Sequence, residues 1–161
     1  MFTLFIICLV VAGIFTYPMF FGAPFLPTRP SRIKAGLDLL DLRPGQIMVE
    51  LGSGDGRMLR EAARRGIHAI GYELNPILIW YCWLVGWRYH GRITLRRRNY
   101  WKEPLPVCDG IYTFLLVPYM TRLDAKIVSE KHGSLKLVSF AFPIPNKKPT
   151  KEHLGLLLYR Y

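Results

Sequence analysis

The residues with the clearest chemical potential are two carboxylates and a run of alternating glycines. Glu50 is followed by glycines at positions 52, 54 and 56, and Glu73 lies further along the chain. A glycine turn lets the backbone approach a ligand closely and present free N–H groups to it. A carboxylate at the tip of the next strand can accept hydrogen bonds from ribose hydroxyls. Together these residues predict a binding site for a ligand that contains a nucleoside.

The glycine spacing differs from two common nucleotide-binding motifs. Residues 50–56 read Glu-x-Gly-x-Gly-x-Gly, whereas nicotinamide cofactor sites carry Gly-x-Gly-x-x-Gly. The stretch also lacks the Lys-Ser/Thr pair of a phosphate-binding P-loop. The pattern therefore indicates a glycine turn of another class.

These residues need a strand, a helix and a second strand to bring them to one edge of a sheet. Residues 47–51 are apolar with β character, and the glycines then break the strand. The helix that follows ends at Gly66 and carries one apolar stripe, formed by Met58, Leu59, Ala62 and Ala63. Residues 67–72 form the second predicted strand, which ends at Glu73.

The unit of strand, glycine turn, helix, strand and acid resembles motif I and its companion acid in class I S-adenosylmethionine methyltransferases. The resemblance implies an α/β fold, a Rossmann-like class I methyltransferase sheet of about six strands with a short C-terminal part and helices on both faces. It also implies S-adenosyl-L-methionine as the cofactor. Glu73 would then hold the ribose, and the methionine end would lie against Glu50, Gly52, Ser53, Gly54 and Gly56. A glycine turn in another α/β fold is the alternative.

A narrower resemblance involves segments on both sides of this unit. Pro-Phe-Leu-Pro-Thr at residues 24–28, a helix, Leu-Gly-Ser-Gly-Asp-Gly-Arg at 51–57 and Gly-Tyr-Glu-Leu-Asn-Pro at 71–76 follow an apolar N-terminal segment. This order is similar to the family of the mitochondrial lysine methyltransferases of the ATP synthase c-subunit and the adenine nucleotide translocase, with membrane-anchored prokaryotic relatives. The match covers residues 25 to about 142. It implies that segment 24–28 closes over the cofactor; a plain spacer is the alternative.

The resemblance also assigns residues on the adenine side. Asn99 matches the position after strand three from which class I methyltransferases hydrogen-bond the adenine amino group, although many relatives carry Asp there. Tyr100 or Trp101 would stack on the adenine; membership of the ordinary core is the alternative for both rings.

Tyr119 is the candidate residue of the acceptor site. Strand four is expected over residues 109–117, and Leu116-Val117-Pro118-Tyr119 stands at its carboxyl end. DNA and RNA amino-methyltransferases carry Asp/Asn/Ser-Pro-Pro-Tyr at this place. Leu116 is not the polar residue that would bind a nucleobase amine, so the sequence argues against a nucleic-acid substrate.

The N-terminal segment is uncharged and largely apolar. Residues 1–28 contain no Asp, Glu, Lys, Arg or His. About 20 apolar residues suffice to span a bilayer, so we expect a transmembrane anchor at 1–22, a Pro-rich linker at 23–30 and the methyltransferase domain at 31–161. A signal peptide would need a positive n-region and a cleavage site, which are missing. Arg29, Arg32 and Lys34 follow, and they place the domain of this single-pass protein on the cytoplasmic or mitochondrial matrix side of the membrane.

The overall charge indicates acidic partners. The chain carries 22 basic and 11 acidic residues, a formal charge of +11, which favours anionic lipid, nucleic acid or an acidic protein face. Residues 92–98, expected as strand three, hold a basic cluster that fits phosphate groups or a solvated sheet edge. Three cysteines and four histidines are scattered without metal-ligand spacing, so the sequence predicts free thiols and no metal site.

A helix expected over residues 77–89 carries three tryptophans on one side. Asn75 and Pro76 are its predicted N-cap and first-turn residues. Trp80, Trp83 and Trp87 follow at helical spacing, and we expect them to meet lipid, the anchor helix or the substrate. Their alternative is ordinary core.

The remaining elements complete the predicted domain. Ser31 is expected to cap a helix with its stripe at Ile33, Leu37 and Leu40. Another helix with a stripe at Met120, Leu123 and Ile127 should end at Gly133. Strand five is expected over residues 135–142 and a last strand over 154–161.

These observations lead to three functional hypotheses. The first is a membrane-anchored enzyme that methylates a lysine side chain of a membrane protein. The second is an enzyme that methylates a lipid or a lipophilic small molecule. The third is a degenerate protein that binds the cofactor without turnover. The sequence does not identify the acceptor, the degree of methylation or the oligomeric state.

Overall fold

A computed structural model describes residues 1–16, 26–131 and 133–161 of the chain. The helices are α1 (Phe2–Thr16), α2 (Pro30–Leu40), α3 (Arg57–Arg64), α4 (Pro76–Val85) and α5 (Val117–Glu130), with a 3₁₀ turn at Trp87–Tyr89. The strands are β1 (Ile47–Leu51), β2 (His68–Tyr72), β3 (Ile93–Arg96), β4 (Gly110–Thr113), β5 (Lys136–Phe140), β6 (Lys151–His153) and β7 (Leu156–Arg160). The expected strand, helix and strand around the glycine turn are confirmed to within about one residue.

The strands form one sheet in the order β3-β2-β1-β4-β5-β7-β6. The first five strands pair in parallel, and β7 runs antiparallel to both of its neighbours. The edge position of β3 agrees with the solvated-edge interpretation of its basic residues.

The sheet has seven strands, so the prediction of about six was wrong. The extra strand, β6, lies in the stretch expected to be loop, and all three of its residues are exposed. It pairs with β7 through a tight turn in which Leu154 and Gly155 have φ values of 53° and 74°. A short, fully exposed strand has no apolar alternation that the sequence could show.

Helices cover both faces of the sheet, as expected. Consecutive residues of a strand point to opposite faces. Met48 of β1 is therefore buried against α2 and α3, whereas its neighbour Val49 belongs to the core beneath α5. The central strands are buried on both sides, which explains their nearly continuous apolar character.

Two helix starts differ from the predictions for a shared reason. α2 begins at Pro30, and Arg29 occupies the N-cap position without a side-chain hydrogen bond, so Ser31 lies inside the first turn. β4 ends at Thr113 rather than at 117, and Val117 opens α5. Proline favours the first turn of a helix, because its fixed φ suits the helix and its missing N–H has no partner there anyway.

The tryptophan-bearing helix is shorter than expected. Asn75 does cap it, since its side chain accepts hydrogen bonds from the amides of Ile77 (2.9 Å) and Leu78 (3.3 Å). The helix then ends at Gly86, before the 3₁₀ turn. The three tryptophans expose 62%, 55% and 62% of their surface, so the ordinary-core alternative was wrong: Trp80, Trp83 and Trp87.

The N-terminal helix α1 comprises 15 residues. Among residues 1–16, 26–131 and 133–161, no helix has both the length and the apolar character needed to cross a bilayer. The expected anchor at 1–22 and the linker at 23–30 extend over residues 17–25, which lie outside the described part of the chain.

Candidate cofactor-binding site

The predicted site residues lie at the carboxyl edge of the parallel strands. β1 and β2 pair in register, with Leu51 opposite Tyr72, so the turn after β1 stands beside the loop after β2. The carbonyl of Tyr72 accepts hydrogen bonds from the amides of Gly52 (3.0 Å) and Ser53 (2.9 Å). Open α/β sheets bind their ligands at this edge.

The glycine turn has a backbone that other residues adopt only with strain. Gly52, Gly54 and Gly56 have φ values of 87°, 54° and 72°, in the left-handed region that favours glycine. A Cβ added at Gly52 would meet no atom within 4 Å, so the turn faces open space there. A Cβ added at Gly56 would lie 2.0 Å from the sulfur of Cys82, because α4 packs directly on the turn.

Glu73 organises the two loops with its carboxylate. Its Oε2 accepts a hydrogen bond from the amide of Gly54 (2.9 Å), and its Oε1 accepts from the amides of Leu74 and Asn75 (both 2.8 Å). The side chain is almost fully buried. An ionised carboxylate has about four acceptor positions, so one remains for a ligand hydroxyl.

Glu50 is the acid of the site that keeps an unsatisfied oxygen. Among the described residues its Oε2 is buried without any hydrogen-bond partner, and the same holds for the hydroxyl of Ser53. Burial, reinforced by the nearby charges of Asp55 and Glu73, holds the pKa of Glu50 well above its usual range, although Arg60 opposes this shift. An unpaired buried carboxylate is costly unless a ligand supplies a donor. The methionine end of S-adenosylmethionine carries an ammonium group, and the unpaired oxygen fits such a group.

The adenine-side residues form a cluster of aromatic rings. Asn99 accepts a hydrogen bond from the amide of Trp101 (2.9 Å), which shapes the loop after β3. Tyr100 is buried edge-on against Tyr72 at 6.3 Å and tilted against Trp101 at 4.9 Å. Burial raises the pKa of Tyr100, with the Glu73 charge adding to it. Both rings belong to the core beneath α5, and adenine contact stays a prediction.

Tyr119 lies in the first turn of α5, next to this cluster. Its ring is half-buried and stacks on Trp101 with a centroid distance of 6.0 Å. The guanidinium of Arg122 lies 4.4 Å from the ring of Trp101. The ring of Trp101 therefore contacts both Tyr119, the predicted acceptor residue, and Tyr100, one of the two rings predicted to stack on the adenine.

The structure reveals a clasp that sequence reasoning missed. The guanidinium of Arg57 pairs with Asp55 of the glycine turn and also donates a hydrogen bond to the carbonyl of Thr28 (3.0 Å). Arg60 donates to the backbone carbonyl of Asp55 (2.7 Å). The described end of the linker is therefore tied to the turn. In the sequence, the only sign of this contact is the position of Asp55 two residues before Arg57.

A second missed feature is a group of three phenylalanines at the carboxyl ends of β4 and β5. The ring of Phe114 lies 5.2 Å from that of Phe140 and 5.7 Å from that of Phe142. The guanidinium of Arg32, on α2, lies 4.7 Å from the Phe140 ring. Phe114 is far from Phe140 and Phe142 along the chain, so the sequence alone does not show that the three rings meet.

Known proteins are similar to this chain in sequence and in fold. Residues 50–151 match the family model described as the ANTKMT methyltransferase domain. The ATP synthase c-subunit lysine N-methyltransferase of Xenopus laevis is 34% identical over 130 residues, which cover 78% of this chain and 56% of that protein. The adenine nucleotide translocase lysine N-methyltransferase of Mus musculus is 34% identical over 135 residues, covering 82% and 58%. The chain thus spans a little over half the length of these curated relatives.

Solved structures confirm the fold class. An RNA methyltransferase from Salinibacter ruber, in complex with S-adenosyl-L-homocysteine, has a TM-score of 0.77 at 21% identity, covering 84% of this chain and 92% of that one. An S-adenosylmethionine-dependent methyltransferase from Geobacter sulfurreducens, in complex with the same ligand, has a TM-score of 0.62 at 17% identity, covering 84% and 58%. At these identities the likeness concerns the fold alone.

Proposed function

The chain belongs to the ANTKMT methyltransferase family, and from this premise we propose that it transfers a methyl group from S-adenosylmethionine to a lysine side chain of a membrane protein. Relatives named as lysine N-methyltransferases of the ATP synthase c-subunit and of the adenine nucleotide translocase support the acceptor class. The single observation that carries the proposal is the glycine turn between Glu50 and Glu73, with an acceptor position left over on each acid.

The chain's own residues would hold the donor by both ends. The unpaired oxygen of Glu50 and the open side of Gly52 would hold the amino-acid end, and the free acceptor position of Glu73 would accept a hydrogen bond from a ribose hydroxyl. Bound S-adenosylmethionine supplies a methyl group on a positively charged sulfur. Transfer then needs mainly alignment with the nucleophile, and such positioning is worth an effective molarity of about 10⁵ M or more.

A lysine acceptor must also lose its proton. With a reference pKa of about 10.4, fewer than roughly 1 in 1000 lysines are neutral at pH 7. Apolar surroundings lower the pKa of an amine, because they disfavour its charged form. The rings of Phe114, Phe140 and Phe142 stand at the strand ends where such an acceptor would enter, with Tyr119 on the neighbouring helix. We assign them the acceptor side of the site.

The proposal includes attachment to a membrane through residues 1–22, with the domain on the cytoplasmic or matrix side. Its support is the uncharged, apolar composition of residues 1–28 and the basic residues that follow. Attachment would keep the enzyme beside membrane-embedded acceptors.

Labelled methyl transfer tests this function. The full chain is incubated with isolated membranes and a donor that carries a radioactive methyl group. We expect label in a protein band and its recovery as methyllysine after hydrolysis. Label in the lipid extract would instead support the lipid-methylating alternative. Absence of label, despite calorimetric binding of S-adenosylhomocysteine, would indicate a binding protein and overturn the proposed enzyme.

A matched pair of variants ties the label to the site. Glu73→Gln removes the charge that we assign to the ribose, and a charge-assisted hydrogen bond is worth about 1.5–3 kcal/mol, so the affinity for S-adenosylhomocysteine should fall roughly 10- to 100-fold. Asp38→Asn makes the same acid-to-amide change on α2, where the carboxylate is 66% exposed and pairs with Arg65. That variant should bind and transfer like the wild type.

A further inference from the structure

Helix α4 leaves a broad apolar side exposed. In any α-helix, residues spaced at i, i+3, i+4 and i+7 lie on the same side. We use the name aromatic side of α4 for Ile77, Trp80, Tyr81, Trp83 and Leu84, together with Trp87 in the 3₁₀ turn; all six are exposed. The segment 76–87 contains no charged residue.

The opposite side of the helix accounts for its packing. Leu78 and Cys82 are buried, and Cys82 lies against Gly56 of the glycine turn. The tryptophans are therefore not needed to hold α4 on the domain. A tryptophan presents up to about 250 Å², so three at these exposures leave roughly 400 Å² of aromatic surface in water. Soluble monomers rarely expose larger continuous apolar patches, and patches of this size commonly mark interaction sites.

Basic residues follow this surface along the chain. Between Glu73 and Glu103 the chain has no acidic residue, and it has six basic ones: Arg88, Arg92, Arg96, Arg97, Arg98 and Lys102. The guanidinium of Arg88 lies 5.5 Å from the ring of Trp87. Within the described residues Arg98 pairs with Glu103, whereas Arg88 and Arg92 form no ion pair. Their charges are thus available to an anionic partner.

We propose that the aromatic side of α4 docks on an anionic lipid surface. Tryptophan and tyrosine favour the headgroup level of a bilayer, where a ring is partly apolar and partly hydrated. Each nearby Lys or Arg adds electrostatic attraction to anionic lipid. An exposed aromatic surface that contains no charged residue and is followed along the chain by basic residues fits a lipid headgroup layer chemically.

Docking here would hold the cofactor site beside the membrane. α4 starts three residues after Glu73, and its Cys82 lies against Gly56 of the glycine turn. The helix that would dock is therefore packed directly on the cofactor site. The inference deepens the proposed function, because it brings a membrane-embedded acceptor to the site. Its test requires neither donor nor methyl transfer, so the two proposals fail separately.

Quenching of tryptophan fluorescence by brominated lipid tests the docking. The apolar N-terminal segment can itself hold the chain on vesicles, so the environment of the tryptophans is measured rather than binding. The full chain is mixed with vesicles of brominated phosphatidylcholine, with and without phosphatidylglycerol. Three of the four tryptophans lie on the proposed surface and the fourth, Trp101, is buried. We expect more than half of the emission to be quenched, and stronger quenching when phosphatidylglycerol is present.

Variants identify the source of the quenching. Replacing Trp80, Trp83 and Trp87 by Phe keeps the apolar surface and leaves Trp101 as the reporter, so quenching should nearly vanish. The exposed Val128 on α5 offers a control, since Val128→Gln should leave the quenching unchanged from that of the wild type.

Emission that aqueous acrylamide quenches and brominated lipid does not would overturn the proposal. Protection from both quenchers together with a doubled mass would overturn it in favour of a second copy of the chain. Equal quenching with and without phosphatidylglycerol would contradict the role of the basic residues.

Discussion

At the scale of residues, the two acids of the candidate site differ in their hydrogen bonding. Glu73 is satisfied by three backbone amides and shapes the loops around it, whereas Glu50 is buried with an oxygen that has no partner among the described residues. The first is therefore part of the architecture, and its role in ligand binding is our proposal. The second carries an energetic cost that a bound ammonium would relieve. Sites that bind charged ligands often retain such a cost at the expense of stability.

Glu50→Gln should raise the stability of the protein and weaken its binding of S-adenosylhomocysteine. A raised pKa means that the folded protein holds the Glu50 proton more tightly than the unfolded chain does, so stability is lost as pH rises above the ordinary pKa of about 4.3. The variant lacks this loss and should be more stable than the wild type near neutral pH by about 1–3 kcal/mol. Below the ordinary pKa the difference should disappear. Binding of S-adenosylhomocysteine should weaken at least about tenfold. Urea unfolding across pH and calorimetry measure the two effects.

Glu61→Gln on α3 is the matched control, because its shift has the opposite sign. Hydrogen bonds from Arg64 and Arg65 lower the pKa of Glu61. Its carboxylate therefore stabilises the protein above its ordinary pKa, and the variant should be slightly less stable near neutral pH, by up to about 1 kcal/mol. Parallel pH profiles for wild type and Glu50→Gln would contradict the assigned state of Glu50.

At the scale of elements, the sequence predicts best where a local pattern decides the structure. β1, the glycine turn and β2 follow from an apolar run, glycines and an acid, and Asn75 caps α4 as its side-chain chemistry favours. β6 was missed, because its pairing with β7 depends on a turn and not on apolar residues. The apolar run before Pro118 predicts Val117 as strand, but Pro118 favours a helix start and Val117 opens α5. The clasp of Arg57 and the unpaired oxygen of Glu50 depend on contacts between distant segments, which the sequence does not display.

The clasp makes a prediction about the linker. Arg57→Lys keeps the positive charge, but a lysine ammonium lacks the planar fork that binds Asp55 and the Thr28 carbonyl together. Amide hydrogen exchange around Thr28 should then become severalfold faster, with the sheet unaffected.

Arg64→Lys is the control for the clasp. Arg64 lies on the same helix and pairs only with Glu61 among the described acids. Its replacement should leave exchange around Thr28 unchanged. Equal exchange in wild type and Arg57→Lys would show that the linker is held by other contacts.

At the scale of the whole molecule, charge and exposed apolar surface fit the same environment. A formal charge of +11, an uncharged N-terminal segment and an aromatic helix side beside the site all suit a membrane surface. The carboxyl edge of the parallel strands, with its glycine turn, lies against that helix. Under the two proposals, cofactor binding and membrane contact would lie at neighbouring parts of the domain, because α4 packs on the glycine turn.

The most direct measurement is the structure of the full chain in complex with S-adenosylhomocysteine. We expect the amino-acid end over residues 52–56, with its ammonium group near the Glu50 carboxylate. We expect the ribose hydroxyls within hydrogen-bonding distance of Glu73. A nucleoside bound elsewhere, or a turn filled by the protein's own side chains, would contradict the assignment of methyl-transfer chemistry to this site.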